Sequence, residues 1–180
     1  NSLKECIKQS KQNNWEIVQD VSWKNYDYVP QIIMAGYCIM VKEIFNQIKN
    51  KNLSHVFLQA GVGGMAAAVI AGIAKYSKKI PKIIIVEPDK AECVLQSIKE
   101  KKPVKLKILD ESIMGGMSCG EVSNIPWNIL KTSTNYCVSI SDDMVVPVMS
   151  LLASKHLSNT KIEGGECATP GIIALNGICF

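Results

Sequence analysis

The chain has 180 residues, of which 47% are hydrophobic and 20% are charged, so it is long enough to bury one core and too apolar to be disordered. Its 20 basic residues are all Lys, and the formal net charge is only +4. This composition argues against a nucleic-acid-binding protein, because such proteins use Arg to bind guanine and phosphate in a bidentate manner.

Cysteine and histidine usage argues against a disulfide scaffold and against a metal site. Seven Cys are present, an odd number without C-x-x-C spacing, which indicates a reduced, intracellular protein. Neither His55 nor His156 has a neighbouring ligand in the sequence, so we predict no metal. No uninterrupted apolar run is long enough to span a membrane, and the polar start is not a signal peptide. Because the chain begins without Met and ends within an apolar run, we expect an internal piece of a longer protein.

The predicted elements alternate between helices and short strands along the chain. In order, they are helix 2–12, strand 16–21, helix 31–49, strand 55–61, helix 64–76, strand 82–88, helix 90–100, helix 124–132, strand 136–141 and helix 143–156. Asp89, Asn124 and Asp142 are the predicted N-caps. Residues 55–59 and 82–86 lack polar alternation, as strands buried on both faces do. We therefore predict an α/β fold with an open, mostly parallel sheet and helices on both faces.

A glycine cluster joins the second predicted strand to the following helix. Gly61, Gly63 and Gly64 allow a tight turn, and the N–H groups at the start of a helix can then bind one anion. This suits a phosphate, since the chain has no Arg to bind it. We expect a Cβ added at Gly63 to reach the phosphate position. The structural alternative is a turn that only packs the helix on the sheet.

Two phosphate-bearing ligands fit this cluster. Residues 61–66 match the dinucleotide pattern G-x-G-x-x-A, and Glu87 follows Gly61 by 26 residues, as the ribose-binding acid of a Rossmann unit does. Pyridoxal phosphate is the other ligand, since its phosphate also binds in Gly-rich loops at helix starts. The local pattern leaves both open.

Motifs along nearly the whole chain carry a resemblance to a known family. They are VQDVSWKNY at 18–26, Pro30, MAGY at 34–37, LQAGVGGMA at 58–66, IVEPDKAEC at 85–93, IMGGMSCGE at 113–121 and Gly165-Glu166. In this order they resemble the diaminopropionate ammonia-lyases, which are pyridoxal-phosphate enzymes of fold type II. The resemblance implies pyridoxal phosphate as cofactor, a small amino acid as substrate, and release of pyruvate and ammonia from 2,3-diaminopropionate. It also implies a cytoplasmic homodimer.

The resemblance implies roles for particular residues. Asp20 would bind the substrate's amino groups or assist proton transfer. The cofactor phosphate would be bound by Gly61, Val62, Gly63, Gly64 and Met65.

Three further positions receive roles from the same resemblance. Gly115 and Gly116 would lie beside the cofactor and substrate, and Glu166 would lie near the cofactor ring. Cys93 and Cys119 match a pair that can form a disulfide near the active-site entrance. Residues 1–35 would be the end of a small domain and the crossing segment, and residues 36–180 would be most of a large, incomplete domain.

The chain also departs from the family. The family's Schiff-base Lys belongs to a segment that this sequence does not contain, so we expect no lyase activity from the chain alone. Gly164-Gly-Glu-Cys167 replaces a stretch that is richer in Ser in the family. The alternative functions are a serine or threonine dehydratase on the same fold, a Rossmann-type dinucleotide-binding domain, and a non-catalytic remnant.

Overall fold

The computed structural model describes residues 2–49, 52–156 and 159–179. The helices are α1 (Ser2–Asn13), α2 (Tyr28–Ile48), α3 (Gly64–Tyr76), α4 (Cys93–Glu100), α5 (Asn124–Ser133), α6 (Val145–Ala153) and α7 (Pro170–Cys179). The strands are β1 (His55–Gln59), β2 (Lys82–Pro88) and β3 (Tyr136–Ile140). Short 3₁₀ turns lie at Gly115–Met117, Asp142–Met144 and Glu166–Ala168.

The strands form one parallel sheet in the order β1–β2–β3. The central strand β2 is buried on both faces, and its side chains alternate between two hydrophobic clusters. Ile83 and Ile85 face a cluster that contains residues of α2, α3, α4 and α5, whereas Ile84 and Val86 face residues of α6 and α7. The predicted α/β fold with helices on both faces of a parallel sheet is therefore confirmed.

Helix α2 packs against α3 at a close backbone contact. A Cβ on Gly72 of α3 would lie 2.8 Å from Val41 Cβ, so only glycine permits this approach. Helix α2 has 21 residues, and it is the one helix within residues 2–49, 52–156 and 159–179 that is long and apolar enough to cross a membrane by length and composition alone. The apolar run of α2 is interrupted by Lys42 and Glu43, which is why the sequence shows no uninterrupted apolar run there. Core helices of soluble proteins and signal sequences both meet the same criteria.

Several predicted elements differ from the structure. The strand predicted at 16–21 is wrong, because this segment has no neighbouring strand. Its backbone instead bonds to a side chain: the Tyr26 hydroxyl donates to the Ile17 carbonyl at 2.7 Å and accepts the Gln19 N–H at 2.9 Å. Helix α7 was not predicted, although Pro170 at its first position is a helix-start signal.

The predicted N-caps also differ. Glu92 precedes α4 and Ser123 precedes α5, in place of Asp89 and Asn124. Asp142 lies in a 3₁₀ turn before α6, where it bonds to other segments instead of capping. The domain boundary expected near residue 35 falls within the continuous helix α2, and that division stays a prediction.

Candidate functional site

The loop between β1 and α3 forms the centre of the candidate site. Gly63 precedes the first residue of α3 and has φ +91°, a left-handed conformation that glycine adopts without strain. Gly61 is needed for a different reason: a Cβ there would lie 2.8 Å from the Gly116 carbonyl oxygen and 2.9 Å from Cys119 Sγ. The loop is therefore fixed by the left-handed turn at Gly63 and by the close packing at Gly61.

The expectation for Gly63 is wrong. A Cβ on Gly63 would point into the packing against α5, 2.7 Å from Leu130 Cδ1 and 3.3 Å from Pro126 Cβ. Gly64, the next residue, is the glycine at which an added Cβ would enter open space. A Cβ on Gly64 would have no atom within 4 Å, and Gly64 lines the cavity described below.

Backbone donors are available where the loop enters α3. Among the described residues, the N–H groups of Gly63, Gly64, Met65 and Ala66 donate to no other protein group, whereas Ala67 N–H donates to the Gly63 carbonyl at 2.9 Å. Four consecutive free donors at the positive end of a 13-residue helix are an arrangement that can bind an anion.

A cavity of about 230 Å³ lies against these donors. Its lining brings together many of the residues predicted for the site: Asp20, Gly61, Val62, Gly63, Gly64, Met65 and Gly116. Gly115 and Glu166 are not among its lining residues. Asp20 is the one charged side chain in the lining, so neutralisation of an anion depends on the N–H groups and the helix dipole.

Sequence reasoning missed several residues that line the cavity. These are Ile33, Met34, Tyr37, Gln59, Ala60, Ala66, Met117 and Cys167. Tyr37 ends the MAGY motif at 34–37. Gln59 is the last residue of β1, at the strand end where parallel sheets place ligands.

The segment before the 115–117 turn is tied to the rest of the site by polar contacts. Asp142 accepts hydrogen bonds from Ser112 Oγ at 2.6 Å and Ile113 N–H at 3.2 Å. Lys90 Nζ lies 3.2 Å from Asp142 and 2.6 Å from Asp110. These bonds join the segments that follow β2 and β3 to residues 110–113, just before the Gly115–Met117 turn.

The predicted cysteine pair flanks Gly61. Cys93 Sγ lies 3.4 Å from the Gly61 carbonyl oxygen, and Cys119 Sγ occupies the space beside the Gly61 Cα. Both are free thiols in this structure. Burial raises the pKa of both thiols, which keeps them protonated near neutral pH. Their disulfide stays a prediction.

Glu87 does not occupy the position that a dinucleotide requires. It is only 1% exposed, and its carboxylate accepts the N–H groups of Val94 and Leu95 at 2.7 Å each. Burial raises its pKa to about 7, against the opposing effect of the two N–H bonds. Glu87 therefore caps α4, and the structure gives no support to a ribose-binding role.

The residues fit a phosphate ester with an adjoining polar ring system better than a metal. The open space at Gly64 and the free N–H groups suit phosphate oxygens, and the apolar walls suit a ring. Within residues 2–49, 52–156 and 159–179, no group of three or more His, Cys, Asp or Glu side chains is placed to hold a metal ion.

Comparison with known protein families gives a match over most of the chain. The family model described as pyridoxal-phosphate dependent enzyme matches residues 2–165. Diaminopropionate ammonia-lyase of Escherichia coli strain K12 is 32% identical over 177 residues, which is 97% of this chain and 44% of that protein. The chain thus spans less than half the length of this relative.

Solved structures agree in fold. A crystal structure of the Escherichia coli diaminopropionate ammonia lyase, in complex with an aminoacrylate-PLP azomethine reaction intermediate, superposes with a TM-score of 0.85 and 32% identity. The match covers 98% of this chain and 46% of that chain. The processed form of threonine deaminase isoform 2 from Solanum lycopersicum has a TM-score of 0.80 at 18% identity, covering 96% of this chain and 46% of that chain, which shows a shared fold alone.

Proposed function

The chain belongs to the family of pyridoxal-phosphate-dependent enzymes, and from this premise we propose that it forms the phosphate-binding part of a lyase that releases ammonia from 2,3-diaminopropionate. The products are pyruvate and ammonia. The observation that carries the proposal is the set of free N–H groups at the start of α3, beside a cavity that Gly64 leaves open. The 32% identical relative, which is a diaminopropionate ammonia-lyase, supports the choice of substrate.

The chain's own residues account for binding of the cofactor. The N–H groups of Gly63, Gly64, Met65 and Ala66 bind the phosphate, and the α3 dipole adds attraction for its charge. Apolar residues such as Ile33 and Met117 exclude water from the neighbouring space. When bound, pyridoxal phosphate supplies a conjugated ring that takes up the electron pair left at the substrate's α-carbon.

Asp20 accounts for recognition of the substrate. As the one carboxylate in the cavity lining, it pairs with a substrate ammonium group or holds a proton during elimination. 2,3-Diaminopropionate carries two amino groups, whereas serine and threonine carry one. A carboxylate at this place therefore favours the diamine over the hydroxy amino acids of the dehydratase alternative.

The covalent partner of the cofactor lies outside the cavity lining, since no Lys is among those residues. Because the chain spans 44% of the Escherichia coli relative, we propose the activity for an assembly that also contains the rest of that fold. In it, residues 1–35 form the end of a small domain. We further propose a cytoplasmic homodimer. Six Cys with described side chains are free, which fits a reducing compartment, and Ile32 and Ile39 of α2 are 53% and 63% exposed, as side chains covered by another protein surface are.

A chimera tests this proposal. The matching segment of the Escherichia coli enzyme is replaced by this chain, and pyruvate is measured with 2,3-diaminopropionate, L-serine or L-threonine as substrate. We expect the highest kcat/KM for 2,3-diaminopropionate. A higher value for serine or threonine selects the dehydratase alternative. A chimera that folds and binds no pyridoxal phosphate supports the non-catalytic remnant.

A further inference from the structure

Two buried serines join the segment that carries Asp20 to the loop after β1. Ser22 and Ser123 are 4% and 2% exposed and lie 101 residues apart in the sequence. Ser22 N–H donates to Ser123 Oγ at 2.8 Å, and the two Oγ atoms are 2.7 Å apart. Asp20 is only two residues from this contact, so the contact holds the end of an otherwise irregular segment.

The direction of the hydroxyl bond follows from counting donors. Ser22 Oγ also accepts the Ile125 N–H at 2.9 Å, and Ser123 Oγ lies 3.4 Å from the Ser22 carbonyl oxygen. If Ser22 donates to Ser123, then Ser123 donates to that carbonyl, and both hydroxyl protons are bonded. The reverse direction leaves the Ser22 proton without an acceptor. Buried hydroxyls that keep all their bonds are stabilising, so Ser22 is the donor.

The same contact reaches the phosphate loop through the backbone. Ser123 precedes α5, and its side chain does not cap that helix; Ser22 caps it instead, through Ile125. The backbone N–H of Ser123 donates to the Val62 carbonyl at 2.9 Å. Val62 immediately precedes Gly63, whose left-handed turn leads into the free N–H groups of α3. An unbroken series of hydrogen bonds therefore runs from Ser22 to the loop.

We propose that Ser22 and Ser123 are positioning residues, which fix Asp20 relative to the phosphate-binding N–H groups. Neither lines the cavity, so neither touches a ligand there. The binding of phosphate by those N–H groups rests on the proposed function. The coupling between the Asp20 segment and the Val62 loop rests on the hydrogen bonds alone. Loss of one serine hydroxyl should loosen the segment at Asp20 and the loop at Val62 together.

Hydrogen exchange tests the coupling without any ligand. In the 180-residue chain, Ser22→Ala should speed exchange of the Ser123 amide about fivefold or more, the effect of losing one hydrogen bond. Ser97→Ala is the matched control. Ser97 is also fully buried and bonded, donating to the Cys93 carbonyl at 2.6 Å and accepting the Val104 N–H at 2.9 Å, but these bonds reach neither the segment at Asp20 nor the loop at Val62. That control should leave the Ser123 amide unchanged.

Binding of pyridoxal phosphate then separates the inference from the proposed function. We expect Ser22→Ala to weaken the affinity for pyridoxal phosphate about fivefold. Ser97→Ala should lower the thermal stability of the chain as much as Ser22→Ala does, but it should leave the affinity for pyridoxal phosphate unchanged. If Ser22→Ala destabilises the chain but leaves both the Ser123 amide and the affinity unchanged, the inference is overturned. If the unaltered chain binds no pyridoxal phosphate, the proposed function fails, while the exchange result still decides the coupling.

A second variant is available if Ser22→Ala does not fold. Ser123→Ala keeps the backbone bond to the Val62 carbonyl and removes Ser123 Oγ, which accepts from Ser22 N–H and also bonds to the Ser22 hydroxyl and carbonyl. It should speed exchange of the Ser22 amide by about fivefold while α5 remains protected. Unchanged exchange at Ser22 overturns the proposal.

Discussion

Substitution of Gly64 tests the phosphate site most directly, because its Cβ would enter open space. Gly64→Val places a branched side chain beside the N–H groups of α3, where no protein atom lies within 4 Å. The variant should fold normally. Val has a better helix propensity than Gly by roughly half a kcal/mol, so the free energy of unfolding should stay the same or rise slightly.

The expected loss appears in cofactor affinity. A hydrogen bond to a charged phosphate contributes about 1.5–3 kcal/mol, so exclusion of the phosphate from one N–H weakens binding about 10- to 100-fold. Stability and affinity should therefore change in opposite directions. This combination cannot arise from a general defect in folding.

Equilibrium dialysis with pyridoxal phosphate and with pyridoxal measures the effect. The unaltered chain should bind the phosphate ester much more tightly than pyridoxal, and Gly64→Val should abolish most of that difference. Gly177→Val is the matched control, since Gly177 lies in α7, also has no atom within 4 Å of its Cβ, and does not line the cavity. An unchanged preference for pyridoxal phosphate in a folded Gly64→Val variant would refute the phosphate site.

Gly63→Val should lower the stability of the chain, unlike Gly64→Val. Its Cβ would lie 2.7 Å from Leu130 Cδ1, and the φ of +91° is strained for any branched residue. We expect it to destabilise the chain by about 2 kcal/mol or more through overpacking and strain. A loss of cofactor binding in Gly63→Val would therefore reflect a loss of folded protein, and it would not test the phosphate site.

Four further outcomes follow from the site and its surroundings. Because burial raises the pKa of Glu87 to about 7, the stability that its carboxyl contributes is fully present below pH 4.5 and is lost as the pH rises through 7. Urea titrations over this range should show the free energy of unfolding fall by about 3 kcal/mol, and Glu87→Gln should remove this pH dependence. In the chimera, Asp20→Asn should keep cofactor affinity and lower kcat by roughly 10² or more, whereas unchanged kinetics would assign Asp20 to a turn. Borohydride treatment of the chain with pyridoxal phosphate should label no single Lys stoichiometrically by mass analysis, because no Lys lines the cavity, and one fully labelled Lys with turnover would contradict this. Because burial raises the pKa of both thiols, oxidation should link Cys93 to Cys119, which both flank Gly61, only after the exposed Cys6 has reacted; a time course of non-reduced peptide maps measures this, and a Cys93–Cys119 bond formed first would contradict it.

The fold class and the glycine turn between β1 and α3 could be predicted from the sequence because both depend on local patterns. An apolar run without alternation indicates a strand buried on both faces, and three glycines before an apolar helix indicate a tight turn with free N–H groups. The segment from β1 to α3 contains both signals within 15 residues, from His55 to Val69. The family motifs extended this local prediction to Asp20 and Gly116, which the structure places in the same cavity.

The tertiary structure decided which way each of these residues faces and what it contacts. The strand at 16–21 was wrong because a strand needs a neighbour, and the folded chain places the Tyr26 hydroxyl there instead. Glu87 fitted a ribose ligand by spacing, but its carboxylate turns to the N–H groups of α4. Gly63 and Gly64 are equivalent in the sequence, and only the packing of α5 separates them, since Leu130 fills the space at one and leaves the other open to the cavity. Side-chain direction depends on contacts between segments far apart in the chain, and local periodicity contains no information about them.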